Sequence, residues 1–345
     1  MQKQRFDDID FLRAIAIIAV VITHVLSYNL GTNLINVVWN YLHFIVPILI
    51  FCSGYVTYRV YSSTVWTFPT LIAWYRKRIV RLALPYYIII LLHYALWFAF
   101  PSVFSGYGIQ KNINFFVRSI FFIGVDYGWL PMLFLELMLI TPLYLALYKH
   151  KTYKTITLAI LGLSSVVLFF THLPLDYRII MWLPWSFILF LSFILANYHM
   201  NTKSILPKNI IYIMGATVSL MIFLFIDSLL SYQSRQATLT VHKYPPDIFY
   251  LTYGIGLGSA LLLLENVAYR YIAFLRSILW WLSKYSYELF FAHYLVIDIL
   301  RTAMKTANIY IPLFFQCVLV LLISVEVVHI YTNIRREIHN RKKIY

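Results

Sequence analysis

Charge is scarce in this sequence. Only 12% of its 345 residues are Asp, Glu, Lys or Arg, against about a quarter in an ordinary soluble domain. Acid is scarcer than base, with 13 Asp and Glu set against 28 Lys and Arg. The resulting net charge of +15 would suggest nucleic acid in a soluble protein. Here the basic residues stand in short clusters between apolar runs, a sign of membrane topology rather than of a polyanion site, so no nucleic-acid partner is expected. Cysteine is nearly absent. Cys52 and Cys317 both lie in apolar stretches and supply neither a disulfide framework nor a metal-ligand spacing, so no metal is expected. No cleavable signal is expected either: the first apolar run is too long and no small-residue cleavage site follows it. There is no internal repeat and no linker long enough to separate two domains, which leaves one domain over residues 1–345.

Apolar residues make up 61% of the chain, and mean hydropathy is +0.75. No soluble core hides that much apolar surface, so the solvent is a bilayer. The expected fold is all-α: a polytopic transmembrane bundle of about ten helices. The spans are placed near 10–30, 36–58, 84–101, 129–148, 154–171, 179–197, 209–230, 247–264, 285–301 and 311–333. With the amino terminus inside, nineteen Lys and Arg fall in cytoplasmic segments, including Arg59, the Arg76–Arg81 group, Lys149, Lys151 and the basic tail from Arg335. Six fall outside: Lys111, Arg118, Arg178, Arg235, Lys243 and Lys305. That bias puts both termini in the cytoplasm, which agrees with an even number of spans. The many Trp and Tyr residues near span ends serve as interfacial anchors.

The first span carries Arg13 at its entrance and His24 deep inside. Eleven residues are close to three helical turns, so the two side chains share a face, separated by roughly 16 Å of depth. Arginine at a helix start can simply snorkel to the headgroups. A histidine at depth is costly and tends to face a cavity or a partner. Asp10, one turn before Arg13, can neighbour it.

Four further stretches add to this pair. They are FCSGYVTYR at 51–59, RKRIVRLALPYY at 76–87 in the loop after the second span, GWLPMLFLELMLITPLY at 128–144 and SKYSYELFFAHYLV at 283–296. Together with Arg13 and His24 they resemble the acyltransferase 3 family of ten-helix bacterial membrane proteins that O-acylate cell-surface carbohydrates. The family's basic residue, ten residues, then histidine matches Arg13 and His24. Its Arg-x-x-Arg before proline matches Arg78, Arg81 and Pro85, and its late Ser-Tyr…His element matches Ser286, Tyr287 and His293. Its Phe-x-x-Ser-Gly-aromatic element fits Phe51, Ser53, Gly54 and Tyr55 with one residue missing before the serine. The added soluble domain of larger members is not expected here.

The resemblance implies a multi-pass O-acetyltransferase of the bacterial plasma membrane. Acetyl-CoA is the implied donor, and a sugar hydroxyl of a surface polysaccharide or exopolysaccharide, or of its lipid-linked precursor, is the implied acceptor. Polysaccharide synthesis or export machinery would be a partner. His24 is the expected general base, since a sugar hydroxyl is a poor nucleophile near neutral pH. Glu136, a carboxylate inside the fourth span, is placed beside it as orienting partner or as a structural pair. His293, with Ser53, Ser286 and Tyr287, is a candidate to stabilise the developing oxyanion or to bind substrate. Arg13, Arg78 and Arg81, with Arg76 and Lys77, face the donor phosphates. The external stretch 231–254 offers His242 and Lys243 to a sugar chain, or is a solvated connector; Pro245 and Pro246 there fix an extended turn. His43, His93 and His329 are read as structural. Two other classes stay open: a polysaccharide exporter, and a membrane subunit of a synthase complex. No inverted repeat or paired broken helices support a transporter.

Overall fold

In a computed structural model of the chain, described for residues 7–100, 113–122, 128–171, 180–201, 207–271 and 274–341, the architecture is a helical bundle. Of the topology residues, Lys3, Arg5, Lys111, Arg178, Lys203, Lys342 and Lys343 lie outside the described residues. The helices are α1 Asp7–Ser27, α2 Asn33–Tyr41, α3 Ile45–Tyr61, α4 Phe68–Ala99, α5 Ile113–Ile120, α6 Trp129–Tyr148 and α7 Lys151–Phe170. There follow α8 Trp182–Met200, α9 Lys208–Tyr232, α10 Ile248–Tyr271, α11 Leu275–Lys284, α12 Ser286–Ala307 and α13 Leu313–Arg341. No strand occurs among the described residues.

Nine segments among the described residues are long and apolar enough to cross a membrane. Each corresponds to one of the expected spans. The remaining expected span, near 285–301, is α12; it is a 22-residue helix but too polar to join the nine on composition. Its polarity is concentrated on the side that builds the site described below.

α1 is the hub. It packs against α3, α10, α11, α12 and α13. Ala14, Ala16 and Ile17 are fully buried, and the small side chains let neighbours approach closely, the usual means of helix association where lipid is as apolar as the core. Gly54 on α3 serves the same purpose: a Cβ there would come within 2.1 Å of Ser192 Oγ on α8. At the periphery, α9 leaves Met221, Leu224 and Phe225 exposed, a surface that only a lipid environment accommodates.

One sequence expectation is corrected. The basic stretch 76–81 is not a loop before the third span but part of α4, which begins at Phe68. Thr67 caps that start reciprocally with Thr70, and Pro69 occupies the first turn, where proline loses nothing. At 32 residues α4 measures about 48 Å, longer than the roughly 30 Å hydrocarbon layer, so its basic first half continues past the core into the interface. His43 and His93 are structural as expected. His43 Nδ1 lies 2.8 Å from Trp39 O, and His93 Nε2 lies 3.2 Å from Asp298 Oδ2, joining α4 to α12.

Candidate active site

Two polar groupings lie along α1, one near each of its ends. The first is a cavity of about 160 Å³ at the amino-terminal end. Arg13 from α1, Ser53 and Thr57 from α3, Arg78 and Arg81 from α4, and Ser283, Lys284, Ser286 and Tyr287 at the α11–α12 junction line it. Four cations therefore converge on one pocket. The pattern follows from helix geometry: Arg78 and Arg81 are one turn apart and share a face. Arg76 and Lys77 do not line the cavity, so only half of the basic cluster is aimed inward.

The cations are held rather than loose. Arg13 donates to Cys52 O at 3.3 Å. Arg78 donates to Thr57 Oγ1 at 3.5 Å and lies over the Trp74 ring at 4.4 Å, a geometry in which an aromatic face favours a cation. Tyr287 gives its hydroxyl proton to Leu82 O at 2.6 Å, fastening α12 to α4. Asp10 accepts from Ser283 Oγ at 2.6 Å.

The second grouping centres on His24. Its ring lies 5.1 Å from that of His293, and its Nε2 is 2.8 Å from the hydroxyl of Tyr294. Arg13 and His24 thus do share a face of α1: both meet the same stripe of α12. His293 is fully buried. Its Nδ1 lies 3.2 Å from Leu289 O. A carbonyl only accepts, so that nitrogen carries the proton. Nε2 is then a bare acceptor, and it has no partner among the described residues. This corrects the expectation that His293 donates to an oxyanion: a neutral ring in this tautomer has no second N–H to give.

Glu136 is not brought to His24. Its buried Oε2 has no hydrogen-bond partner among the described residues, and the edge of His24 it was expected to hold is taken by Tyr294. Sequence reading missed Tyr294 because nothing distinguishes it from 28 other tyrosines except its place beside His293, one helical face from His24. Lys284 was missed as a cavity residue because it reads as the end of a span.

The stretch between α9 and α10 closes the end of the bundle nearer His24. His242 is buried, with Nδ1 at 2.5 Å from Asp247 Oδ2 and Nε2 at 2.9 Å from Gln236 O. Burial opposes a charge there, but the Asp247 carboxylate and the Gln236 carbonyl outweigh it and raise the pKa of the ring. Both nitrogens face acceptors within the loop, so His242 braces the loop. Lys243 is half-buried, and its Nζ sits 4.9 Å from the centroids of Trp129 and Tyr244. Its charge acts on His24, which places it on the His24 side of the bundle. Burial pushes its pKa down to about 7.

Lys243 is therefore expected to titrate like no other lysine on the protein. Between pH 7 and 8.5 an exposed lysine with a pKa near 10.4 gains about thirtyfold in free amine, whereas one at about 7 gains only about twofold. Carbamylation by cyanate, read by peptide mass analysis, should rise about thirtyfold at exposed Lys151 and about twofold at Lys243. Equal slopes at the two sites would show that the Lys243 amine is not desolvated.

The comparisons agree with this geometry. The family model described as an acyltransferase domain, acyltransferase 3, matches residues 6–331 of the chain. The chain belongs to the acyltransferase 3 family. It is thus a membrane acyltransferase whose motif residues are those gathered above: Arg13, Arg78, Arg81, Ser286 and Tyr287 line the cavity, and His24 and His293 face one another. Comparison with curated proteins and with solved structures returned no match.

Proposed function

We propose that this acyltransferase moves an acetyl group from acetyl-CoA, bound from the cytoplasm, to a hydroxyl of a cell-surface carbohydrate presented from the other side. The observation that carries the proposal is the arrangement along α1 and α12: a four-cation cavity at one end and a pair of facing imidazoles beyond it. The excess of Lys and Arg in the segments flanking the cavity end assigns that end to the cytoplasm, with both chain termini on that side of the plasma membrane.

The donor carries several phosphate charges on a nucleotide joined to a long, thin arm. A cavity of about 160 Å³ is smaller than the 300–1,000 Å³ typical of whole-ligand sites. It suits the arm, with the nucleotide left at the mouth among Arg78, Arg81 and Lys284. Arginine is the apt residue there because its planar fork pairs two oxygens of a phosphate.

At the imidazoles the chemistry is a proton transfer coupled to acyl transfer. His24 Nε2–H donates to the Tyr294 oxygen, which leaves the Nδ1 lone pair to take the proton of the sugar hydroxyl. The hydroxyl oxygen forms a bond to the thioester carbonyl carbon, and the carbon–sulfur bond breaks. The proton passes from His24 to the departing thiolate, giving an acetyl ester and a free thiol. His293, as an acceptor, holds the hydroxyl in line. Ser53 and Ser286 bind along the donor's path, and Lys243 stands where the acceptor arrives.

Sealed vesicles of both orientations test the reading. Acetyl-CoA labelled in the acetyl group and added outside should label surface glycan only in inside-out vesicles that enclose the acceptor. Label arriving equally from the external face would overturn the orientation. Unacetylated glycan in both preparations, with carbohydrate transport impaired when the protein is absent, would favour the exporter instead.

A further inference from the structure

The cavity ends at one side chain. Ser286, Tyr287 and Phe290 of α12 line it, whereas His293 and Tyr294, the next residues on the same helical stripe, do not. Phe290 is 5% exposed. Its ring centroid lies 5.8 Å from His293 and 5.6 Å from Tyr294. One face of the ring is therefore cavity wall, and the other is packed against the groups that hold and face His24. From Phe290 to His293 the helix rises only about 4.5 Å. An acyl group leading the donor arm out of the cavity meets this ring before it meets an imidazole.

We propose that Phe290 is the constriction that selects the acyl group by width. The inference rests on the donor reading above. Acetyl, two heavy atoms beyond the carbonyl carbon at most in any direction, slips past a phenyl edge held by His293, Tyr294 and Phe291. A branched or aromatic acyl group needs the volume that the ring fills. Close-packed interiors do not yield a ring's volume without strain, and a pocket discriminates by roughly tenfold to two-hundredfold per methylene of misfit. The selectivity would then be set by one side chain that performs no chemistry itself.

The test compares acetyl-CoA, linear butyryl-CoA and isobutyryl-CoA as donors to full-length protein in membrane vesicles. The parent should use acetyl-CoA well and isobutyryl-CoA poorly. Phe290→Ala should raise the isobutyryl-to-acetyl ratio of kcat/KM at least tenfold, with a smaller rise for butyryl, which is longer but no wider. Phe290→Trp should lower the use of every donor except acetyl further still. If Phe290→Ala does not accumulate in the membrane, Phe290→Leu, which keeps apolar bulk but removes the ring plane, is read by the same ratio. An unchanged ratio in the accumulated variant overturns the constriction. A parent that transfers no acyl group from any of the three donors overturns the functional reading beneath it, a result distinct from an unchanged ratio.

Discussion

His24→Gln should abolish transfer while the protein still accumulates in the membrane. Glutamine retains hydrogen-bonding capacity and can still face the Tyr294 hydroxyl, which lies 2.8 Å from His24 Nε2 in the parent. It has no nitrogen that accepts a proton near neutral pH. A general base contributes about a hundredfold to ten-thousandfold, so the loss should lie in that range and match that of His24→Ala. A packing histidine predicts the opposite ranking, with glutamine tolerated and alanine lowering abundance. Arg13→Lys should retain part of the activity and Arg13→Ala little, since the family accepts either cation at that position. The readout is acetyl incorporation into glycan at equal membrane abundance. More than about a tenth of the parental rate in His24→Gln would remove His24 from the proton transfer.

Removing Arg78 and Arg81 together should act on the donor, not on insertion. Hydrogen bonds to a charged partner contribute about 1.5–3 kcal/mol each, so each arginine lost should raise the apparent KM for acetyl-CoA about tenfold or more. The double alanine variant should exceed a hundredfold if the two contacts are independent. The two sites differ in how lysine performs. Arg78 is stacked on Trp74 and bonded to Thr57, contacts that use the plane of the guanidinium, so Arg78→Lys should rescue poorly. Arg81 is exposed at the cavity wall, and lysine there should restore more. Donor titration of vesicles carrying equal amounts of protein measures both. A double variant with the parental donor dependence would reduce the pair to a topology anchor.

The same arginines show how far the chain could be read without its fold. Their one-turn spacing was legible, and so was their match to a family motif. Their place in a loop was not correct, because a basic run between apolar stretches looks like a connector. The Thr67 cap and Pro69 that start α4 eight residues earlier are local signals, but they only settle the matter once the helix is seen to outrun the bilayer. Glu136 illustrates a different limit. A carboxylate inside a span demands a partner on energetic grounds, yet energetics does not say which helix supplies it, and the expected pairing with His24 did not form.

What the sequence determined by itself was the solvent and the elements. An excess of apolar residues with so little charge admits only a bilayer, and a bilayer admits only segments that satisfy their own backbone, so helices of spanning length followed from composition. Helical period likewise placed Arg13 and His24 on one face of α1 before any neighbour was known. The tertiary structure decided which helix that face meets. Adjacency of α12 to α1, almost the whole chain apart, put Tyr294 on His24 Nε2 and His293 at 5.1 Å. It also closed the cavity with Phe290. Local periodicity fixes the direction in which a side chain leaves its own helix. Its partner is fixed by packing among distant segments, and no single stretch of sequence contains that information.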